Sequence, residues 1–279
     1  MLKYELIPEQ LLYEGTIFSE QLFEPRAIDL QVVLKTHCPQ YVDKLLDQNL
    51  DRLEERRMGF PQSQQLILRE LTITQGTLDC AYFALQYGVA LNVSGGTHHA
   101  FRDRGEGFCL LNDVAVAINQ LLDEGTCKQV AVIDLDVHQG NGTAALFVDR
   151  REVFTLSFHG ADNFPLLKET SDLDVALPSG TGDTIYLEIL RKHISNVLDQ
   201  HRPELVFYVA GVDVLASDRL GRLSLSLEGC RERDQMVFES CASRRIPVVV
   251  VMGGGYSHRL ADIVHAHCAT YRMAQRVFG

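Results

Sequence analysis

The stretch VIDLDVHQGNG (residues 132–142) decides the fold. Its first half belongs to an apolar, β-branched run, Val130–Leu135, interrupted only by Asp134. Its second half turns abruptly polar, with Asp136, His138 and then GNG. A run this solidly apolar suits a strand covered on both faces of a parallel sheet. Four more runs share the character: Val89–Val93, Val153–Phe158, Leu205–Ala210 and Val248–Met252. Helix-like segments separate them. Asp113–Leu122 follows a cap at Asn112, and Thr184–Gln200 aligns Ile185, Ile189, Ile194, Val197 and Leu198 before stopping short of Pro203. Glu228–Arg244 and Arg259–Val277 are further helices by pattern. The alternation predicts an α/β fold: one domain over residues 1–279, with a mostly parallel central sheet and helices on both faces.

The first 60 residues read as amphipathic helix over Pro8–Leu12, Pro25–Lys35 and Tyr41–Arg57, followed by a loop at MGFPQSQQ (58–65). No linker divides the chain. With 46% hydrophobic and 23% charged residues among 279, it is neither disordered nor low-complexity. The 26 Lys+Arg against 37 Asp+Glu leave a net charge of −11, which attracts neither nucleic acid nor an anionic membrane and mildly favours a cationic substrate. Seven cysteines, an odd number with no CxxC, do not make a disulfide framework. The start, MLKYELIPEQ, has no apolar signal region, and no apolar run approaches a membrane span. A soluble protein in a reducing, cytoplasmic setting is expected; oligomeric state is left open.

In an open parallel sheet, ligands bind beyond the carboxyl ends of the strands. The residues just past each apolar run are therefore the informative ones. SGGTHH with His98 and His99 comes after the first, Asp136 and His138 after the second, and His159 after the third; Gly211 and Asp213 come after the fourth, and GGG with Tyr256 after the fifth. Asp136 and His138 stand at i and i+2, on one side of an extended segment. With Asp213 from another strand they make a three-ligand divalent site whose fourth position is open, the arrangement of a catalytic zinc. Carboxylate ligands also admit iron, manganese or cobalt. Asp134, two residues earlier, is expected to orient one of the two histidines.

These residues resemble the zinc-dependent histone deacetylase superfamily, with its arginase/deacetylase fold. The matching stretches are GGTHHAFRDRGEGFCLLND (95–113), VIDLDVHQGNGTAALF (132–147), AGVDVLASDRLGRLSLS (210–226) and MGGGYS (252–257), a similarity running from about residue 70 to 260. HQGNG and SDRLGRLSLS look more like the class IV branch and its bacterial relatives. The resemblance implies that Asp136, His138 and Asp213 ligate one Zn²⁺, with Fe²⁺ as an alternative. It implies that His98 and His99 are the paired active-site histidines, oriented by Asp134 and Asn141 respectively, and that Tyr256 donates to the substrate carbonyl. Gly107, Phe108, Phe164, Gly254 and Gly255 would line a narrow tunnel for an acyl-lysine side chain. A structural K⁺ would sit among Asp134, Asp136, His138, Ser157 and Phe158.

The sequence departs from the family pattern at Gln139, at Asn141 in place of an aspartate, and at Leu166 where a glycine follows the aromatic-proline pair. The family opens with a strand and short loop; here the chain starts almost at the first helix, which leaves one sheet edge open to question. The activity implied is removal of acetyl or longer acyl groups from lysine on a protein or peptide. His99, paired with a neutral amide, is the expected general base and acid, and His98 electrostatic support. Cys109 is expected to pack rather than react, and His159 is a further candidate for lining the site. One alternative substrate is a small acylated amine such as an acetylpolyamine. A non-catalytic acyl-lysine binding module would have lost a ligand, a histidine or the tyrosine. An arginase-like dinuclear site would need a carboxylate at position 140, where the chain has glycine.

Overall fold

The computed structural model describes residues 2–279. Its strands are β1 (Val89–Asn92), β2 (Val130–Asp134), β3 (Val153–Gly160), β4 (Leu173–Leu177), β5 (Leu205–Val209) and β6 (Val248–Val251). They form one sheet in the order β1-β6-β5-β2-β3-β4, with every neighbouring pair parallel. All five apolar runs of the sequence are strands. β4 escapes the sequence pattern because it is an edge strand whose residues alternate between part-buried and exposed before Leu177. β1 forms the opposite edge, paired only with β6 among the described residues.

Among the described residues ten α-helices surround the sheet: α1 (Lys3–Tyr13), α2 (Leu30–Val33), α3 (Pro39–Leu46), α4 (Arg52–Met58), α5 (Gln64–Tyr87), α6 (Asp113–Asp123), α7 (Asn141–Phe147), α8 (Asp183–His201), α9 (Leu227–Ala242) and α10 (Leu260–Phe278). Alternate residues of each central strand feed opposite cores. Ala131 and Ile133 join Tyr208 and side chains of α8, α9 and α10 on one face. Val130 and Val132 join Phe207 and side chains of α3, α5 and α6 on the other. A strand flanked by two cores must be apolar at every position, which is why β2 and β5 are buried throughout.

The helical pattern over Tyr41–Arg57 is two helices, because Asp51 accepts from the Leu53 and Glu54 N–H groups and starts α4 afresh. Only Leu30–Val33 of Pro25–Lys35 is helical, capped by Asp29. The 24-residue α5 was not expected from the sequence. Its buried face includes Thr74, Gly76, Thr77, Ala81 and Ala84, small and polar residues that weaken an amphipathic signal. No described helix is long and apolar enough to cross a membrane, and all seven cysteines are free.

Candidate active site

Beyond β2 the backbone descends a staircase of carboxylates. Asp134 Oδ1 accepts the Asp136 N–H at 3.1 Å, and Asp136 Oδ1 accepts the His138 N–H at 3.0 Å. Asp136 Oδ2 accepts the Gly254 N–H at 2.6 Å, and Asp213 Oδ1 accepts the Val137 N–H at 2.9 Å. The segments after β2, β5 and β6 are thus laced together by the two aspartates. Asp136, His138 and Asp213 each present a ligand atom within 4.8 Å of the others, and all three are buried. His138 Nδ1 lies 3.0 Å from Asp136 Oδ1 and 3.2 Å from Asp213 Oδ2.

Asp213 Oδ2 is buried and makes no hydrogen bond. A carboxylate oxygen taken from water without a donor is costly unless a cation meets it. Two carboxylates and an imidazole are a donor set that suits a divalent transition metal. The electrostatics say the same. Burial pushes the Asp213 carboxyl up to about 6, helped by Asp136 and opposed by His138. Burial works against charge on His138, yet its contacts with Asp136 and Asp213 raise it to about 10. Two carboxylates facing one imidazole demand positive charge at that point. Gly254 leaves the room, because a Cβ there would overlap the Asp213 carboxylate.

The two histidines lie above, their rings tilted at 45° with centroids 4.1 Å apart. His98 Nδ1 lies 2.6 Å from Asp134 Oδ2; burial disfavours its charge, but Asp134 and Asp136 outweigh this and lift it to about 9. His99 Nδ1 lies 2.7 Å from Asn141 Oδ1, whose amide in turn donates to Glu106 at 3.0 Å. Burial, followed by the neighbouring His98 and His138, holds His99 well below its ordinary value.

A cavity of about 640 Å³ opens onto this floor. His98, His99, Asp136, His138, Gly107, Phe108, Phe164, Gly254 and Tyr256 all line it. Phe164 meets His99 edge-on at 5.0 Å, and the Phe108 and Tyr256 centroids are 6.2 Å apart. Gly107 has φ +55°, and a Cβ there would meet His99 at 2.7 Å. Phe108, at φ 68°, holds a conformation that costs a non-glycine residue free energy. Its N–H donates to the Met58 carbonyl at 2.8 Å, which ties its backbone to the end of α4. Tyr256 is held at both backbone atoms: its N–H donates to Asp218 at 2.6 Å and its carbonyl accepts from Arg219 at 2.9 Å. Burial, then Asp213 and Asp136, keep its phenol well above the usual range and hence protonated.

Two sequence expectations, Gly255 and His159 as lining residues, need correction. Gly255 does not line the cavity; a Cβ there would run into Val212, His267 and Ile263 in the packing behind it. His159 is buried away from the cavity beside Ser157, and burial lowers it to about 4. Cys109 lines the cavity, and burial pushes its thiol well above the ordinary value, in keeping with packing rather than reaction. Asp134 pairs with Ser157 in register, and Phe158 packs into the core against Tyr186.

The sequence also hid supporting residues. Asp113, in the first turn of α6, accepts from Thr77 and Thr97 hydroxyls at 2.6 Å each and from the Gly96 and Thr97 N–H groups at 3.1 and 2.8 Å. It fixes the loop that carries His98 and His99. His37 lies 2.8 Å from the Phe101 carbonyl through Nδ1 and accepts the Asn112 N–H at 3.0 Å through Nε2. Lys3 of α1 is 2% exposed, with Nζ 5.5 Å from the Tyr256 ring centroid. Asp113 closes the matching stretch 95–113, but neither it nor His37 or Lys3 has metal or catalytic spacing, so no role was read for them in the sequence.

Comparison with known proteins places the chain in a family. The histone deacetylase domain family matches residues 2–271, which extends the resemblance through the N-terminal helices. An uncharacterized protein of Picosynechococcus is 42% identical over all of this chain and 93% of its own length. Histone deacetylase 2 of Arabidopsis thaliana is 29% identical over 94% of this chain and 70% of its own. Histone deacetylase B of Dictyostelium discoideum is 33% identical over 90% and 62%. Among solved structures, a histone deacetylase homologue complexed with SAHA superposes with a TM-score of 0.84 at 24% identity, covering 98% of this chain and 77% of its own; at that identity the likeness speaks for the fold. With the family matched along nearly its whole length, this chain belongs to the histone deacetylase family and is a deacetylase of the hydrolase class.

Proposed function

We propose that this deacetylase cleaves the acyl amide of an acyl-lysine side chain with the help of one divalent metal ion held by Asp136, His138 and Asp213. The observation that carries the reading is the orphaned Asp213 Oδ2, buried opposite Asp136 and His138 at the floor of a cavity walled by Phe108 and Phe164. Zn²⁺ at that point, or Fe²⁺, would polarise the amide carbonyl and lower the pKa of the attacking water toward ~7.

The chain's own groups do the remainder. Phe108 and Phe164 flank the aliphatic lysine stem and keep water from it. His99 takes the proton of the attacking water as oxygen bonds to the carbonyl carbon. Its partner Asn141 is neutral, so the proton is not trapped by a carboxylate. The same proton passes to the departing lysine nitrogen as the carbon–nitrogen bond breaks. His98, salt-bridged to Asp134, stays charged and stabilises the negative charge gathering on the carbonyl oxygen. The Tyr256 phenol donates to that oxygen; a donor of this kind is typically worth about 10²–10³ in rate. Structural K⁺ beside Asp134 and Ser157, among the main-chain oxygens of Asp136, His138 and Phe158, is part of the same proposal. What supports it is the in-register pairing of Asp134 with Ser157. Free cysteines are compatible with a cytoplasmic setting.

The chain retains every residue that an acyl-lysine binding module would have shed. Position 140 is glycine, so the further bridging carboxylate of a dinuclear site is missing. The decisive experiment is a panel of acyl-lysine peptides, from acetyl to long-chain, assayed with and without a chelator and alongside metal analysis. We expect amide hydrolysis that chelation abolishes and Zn²⁺ restores, with one transition metal per chain. Full activity after complete chelation would overturn the reading.

A further inference from the structure

Two lips face each other across the cavity mouth, and each carries a free guanidinium. On one side the Gly107 N–H donates to the Arg57 carbonyl at 3.1 Å, and the next residue, Phe108, donates to Met58 at 2.8 Å. The C-terminal turn of α4, with Arg56 and Arg57, is thereby fastened to the Phe108 wall. On the other side Asn163, the neighbour of Phe164, accepts the Arg222 N–H at 3.1 Å and donates to the Leu220 carbonyl at 2.8 Å. That bond pair fastens Arg222 to the Phe164 wall. Arg56, Arg57 and Arg222 are exposed and line the cavity. Among the described residues none of the three is in an ion pair.

This is a local reversal of the chain's net charge of −11. Acidic residues are abundant, yet among the described residues none closes an ion pair with these three; Asp51 only feels the charge of Arg57 from a distance. Arg69, the other arginine lining the cavity, is paired with Glu70 at 2.6 Å. Asp162 is an exposed acid of the lip, bonded to the Ser179 hydroxyl at 2.8 Å, and its single negative charge offsets only part of the charge of Arg56, Arg57 and Arg222. Leu166 and Leu220, 90% and 45% exposed, stand on the Arg222 side and offer apolar contact to a chain lying across the mouth. A polyamine would bring free ammonium groups against the guanidiniums, a like-charge encounter. A peptide with carboxylates next to the acyl-lysine would meet them with opposite charge.

We infer that this enzyme selects acyl-lysine flanked by acidic side chains, with Arg57 on one lip and Arg222 on the other as the specificity-determining residues. The inference rests on the acyl-lysine reading above and narrows its substrate class. It accounts for both lips carrying arginine, which neither the metal chemistry nor the tunnel requires. It also replaces the expectation of a cationic substrate drawn from net charge, since the charge that a substrate meets is that of the mouth.

The test uses acetyl-lysine peptides of one length with Glu, Gln or Lys on both sides of the acetyl-lysine, and a monoacetylated polyamine, each at low and high salt. We expect kcat/KM for the Glu-flanked peptide to exceed that of the Gln-flanked one by roughly three- to tenfold at low salt, largely through KM. The Lys-flanked peptide and the polyamine should fall below both, and high salt should compress the series. The double variant Arg57→Gln/Arg222→Gln should bring the Glu-to-Gln ratio close to one, and Arg57→Lys/Arg222→Lys should recover most of it. Equal rates on Glu- and Gln-flanked peptides, or a ratio that survives in the Gln double variant, would overturn this inference and leave the acyl-lysine reading intact. Hydrolysis of the polyamine with no peptide cleaved would overturn both.

Discussion

Arg233 and Asp234 lie side by side on α9, both cut off from solvent, with their charged groups 2.8 Å apart. The pair sits directly behind the site. Arg233 Nη1 donates to the Gly211 carbonyl at 2.5 Å and to the Leu135 carbonyl at 3.3 Å, the residues at which β5 and β2 hand over to the segments carrying Asp213 and Asp136. Asp234 also accepts from the Tyr208 and Thr270 hydroxyls at 2.5 and 2.6 Å. One guanidinium thereby sets the spacing of two strands that each supply a candidate metal ligand. Arg233→Met keeps much of the volume but strands Asp234 in the core. Breaking one half of a buried pair costs about 3–5 kcal/mol. Urea denaturation should show that loss, and a variant as stable as wild type would rule out this account.

Asp113 does for the His98–His99 loop what Arg233 does for the strands. Its carboxylate gathers two hydroxyls and two N–H groups from Thr77, Gly96 and Thr97. Asp113→Ala leaves those donors unpaired and frees the loop one residue before His98. Misplacing reacting groups by about 1 Å can cost ~10²-fold. The expected outcome is a fall of that order in kcat with a far smaller change in KM, measured on an acetyl-lysine peptide. An Asp113→Ala enzyme with unchanged kcat would exclude the positioning role.

How much of this was legible in the sequence depends on what makes a signal. β2 and β5 stand out because strands between two cores are apolar throughout, whereas β4, with an exposed edge position every second residue, does not. Asp136 and His138 are visible because their i, i+2 spacing at a strand end is itself a geometric statement. Asp113, Arg233 and His37 act through contacts far apart in the chain, Thr77 to Asp113 and Leu135 to Arg233 among them, and no local pattern encodes such a contact. The arginine lips were hidden for the same reason. Arg57 and Arg222 become neighbours of one opening only when α4 and the Leu220–Arg222 segment are tied to Phe108 and Asn163.

His37 makes stability depend on pH. Burial lowers it from 6.5 to about 4, against the opposing pull of the Phe101 carbonyl. In the unfolded chain the imidazole takes up a proton below 6.5, whereas the folded protein resists until about 4. The unfolded state therefore binds more protons across that window, and stability falls as pH drops through it. The full contribution is present above 6.5 and is lost toward 4, a difference of order 3 kcal/mol. His37→Gln removes the titration, so the slope of unfolding free energy between pH 6.5 and 4 should be shallower than in wild type. Parallel slopes in denaturant titrations of the two proteins would refute the assignment.

Asp213 is where function and stability pull in opposite directions. Its Oδ2 has no hydrogen-bond donor, and burial together with Asp136 pushes its carboxyl up to about 6. Folding therefore works against its charge at neutral pH even with His138 opposing the shift, and a bound metal ion would relieve this. Asp213→Asn removes that charge while keeping an oxygen to accept the Val137 N–H. In chelator, the variant should melt at or above wild type. With Zn²⁺ added the order should reverse, because a ligand that binds only the folded state stabilises it in proportion to the logarithm of its excess over Kd. Scanning calorimetry with and without Zn²⁺ reads both halves independently of turnover. A Zn²⁺-induced rise in Tm that is as large in Asp213→Asn as in wild type would mean that the metal does not rest on Asp213. The Asp136–His138–Asp213 site would then have to be abandoned.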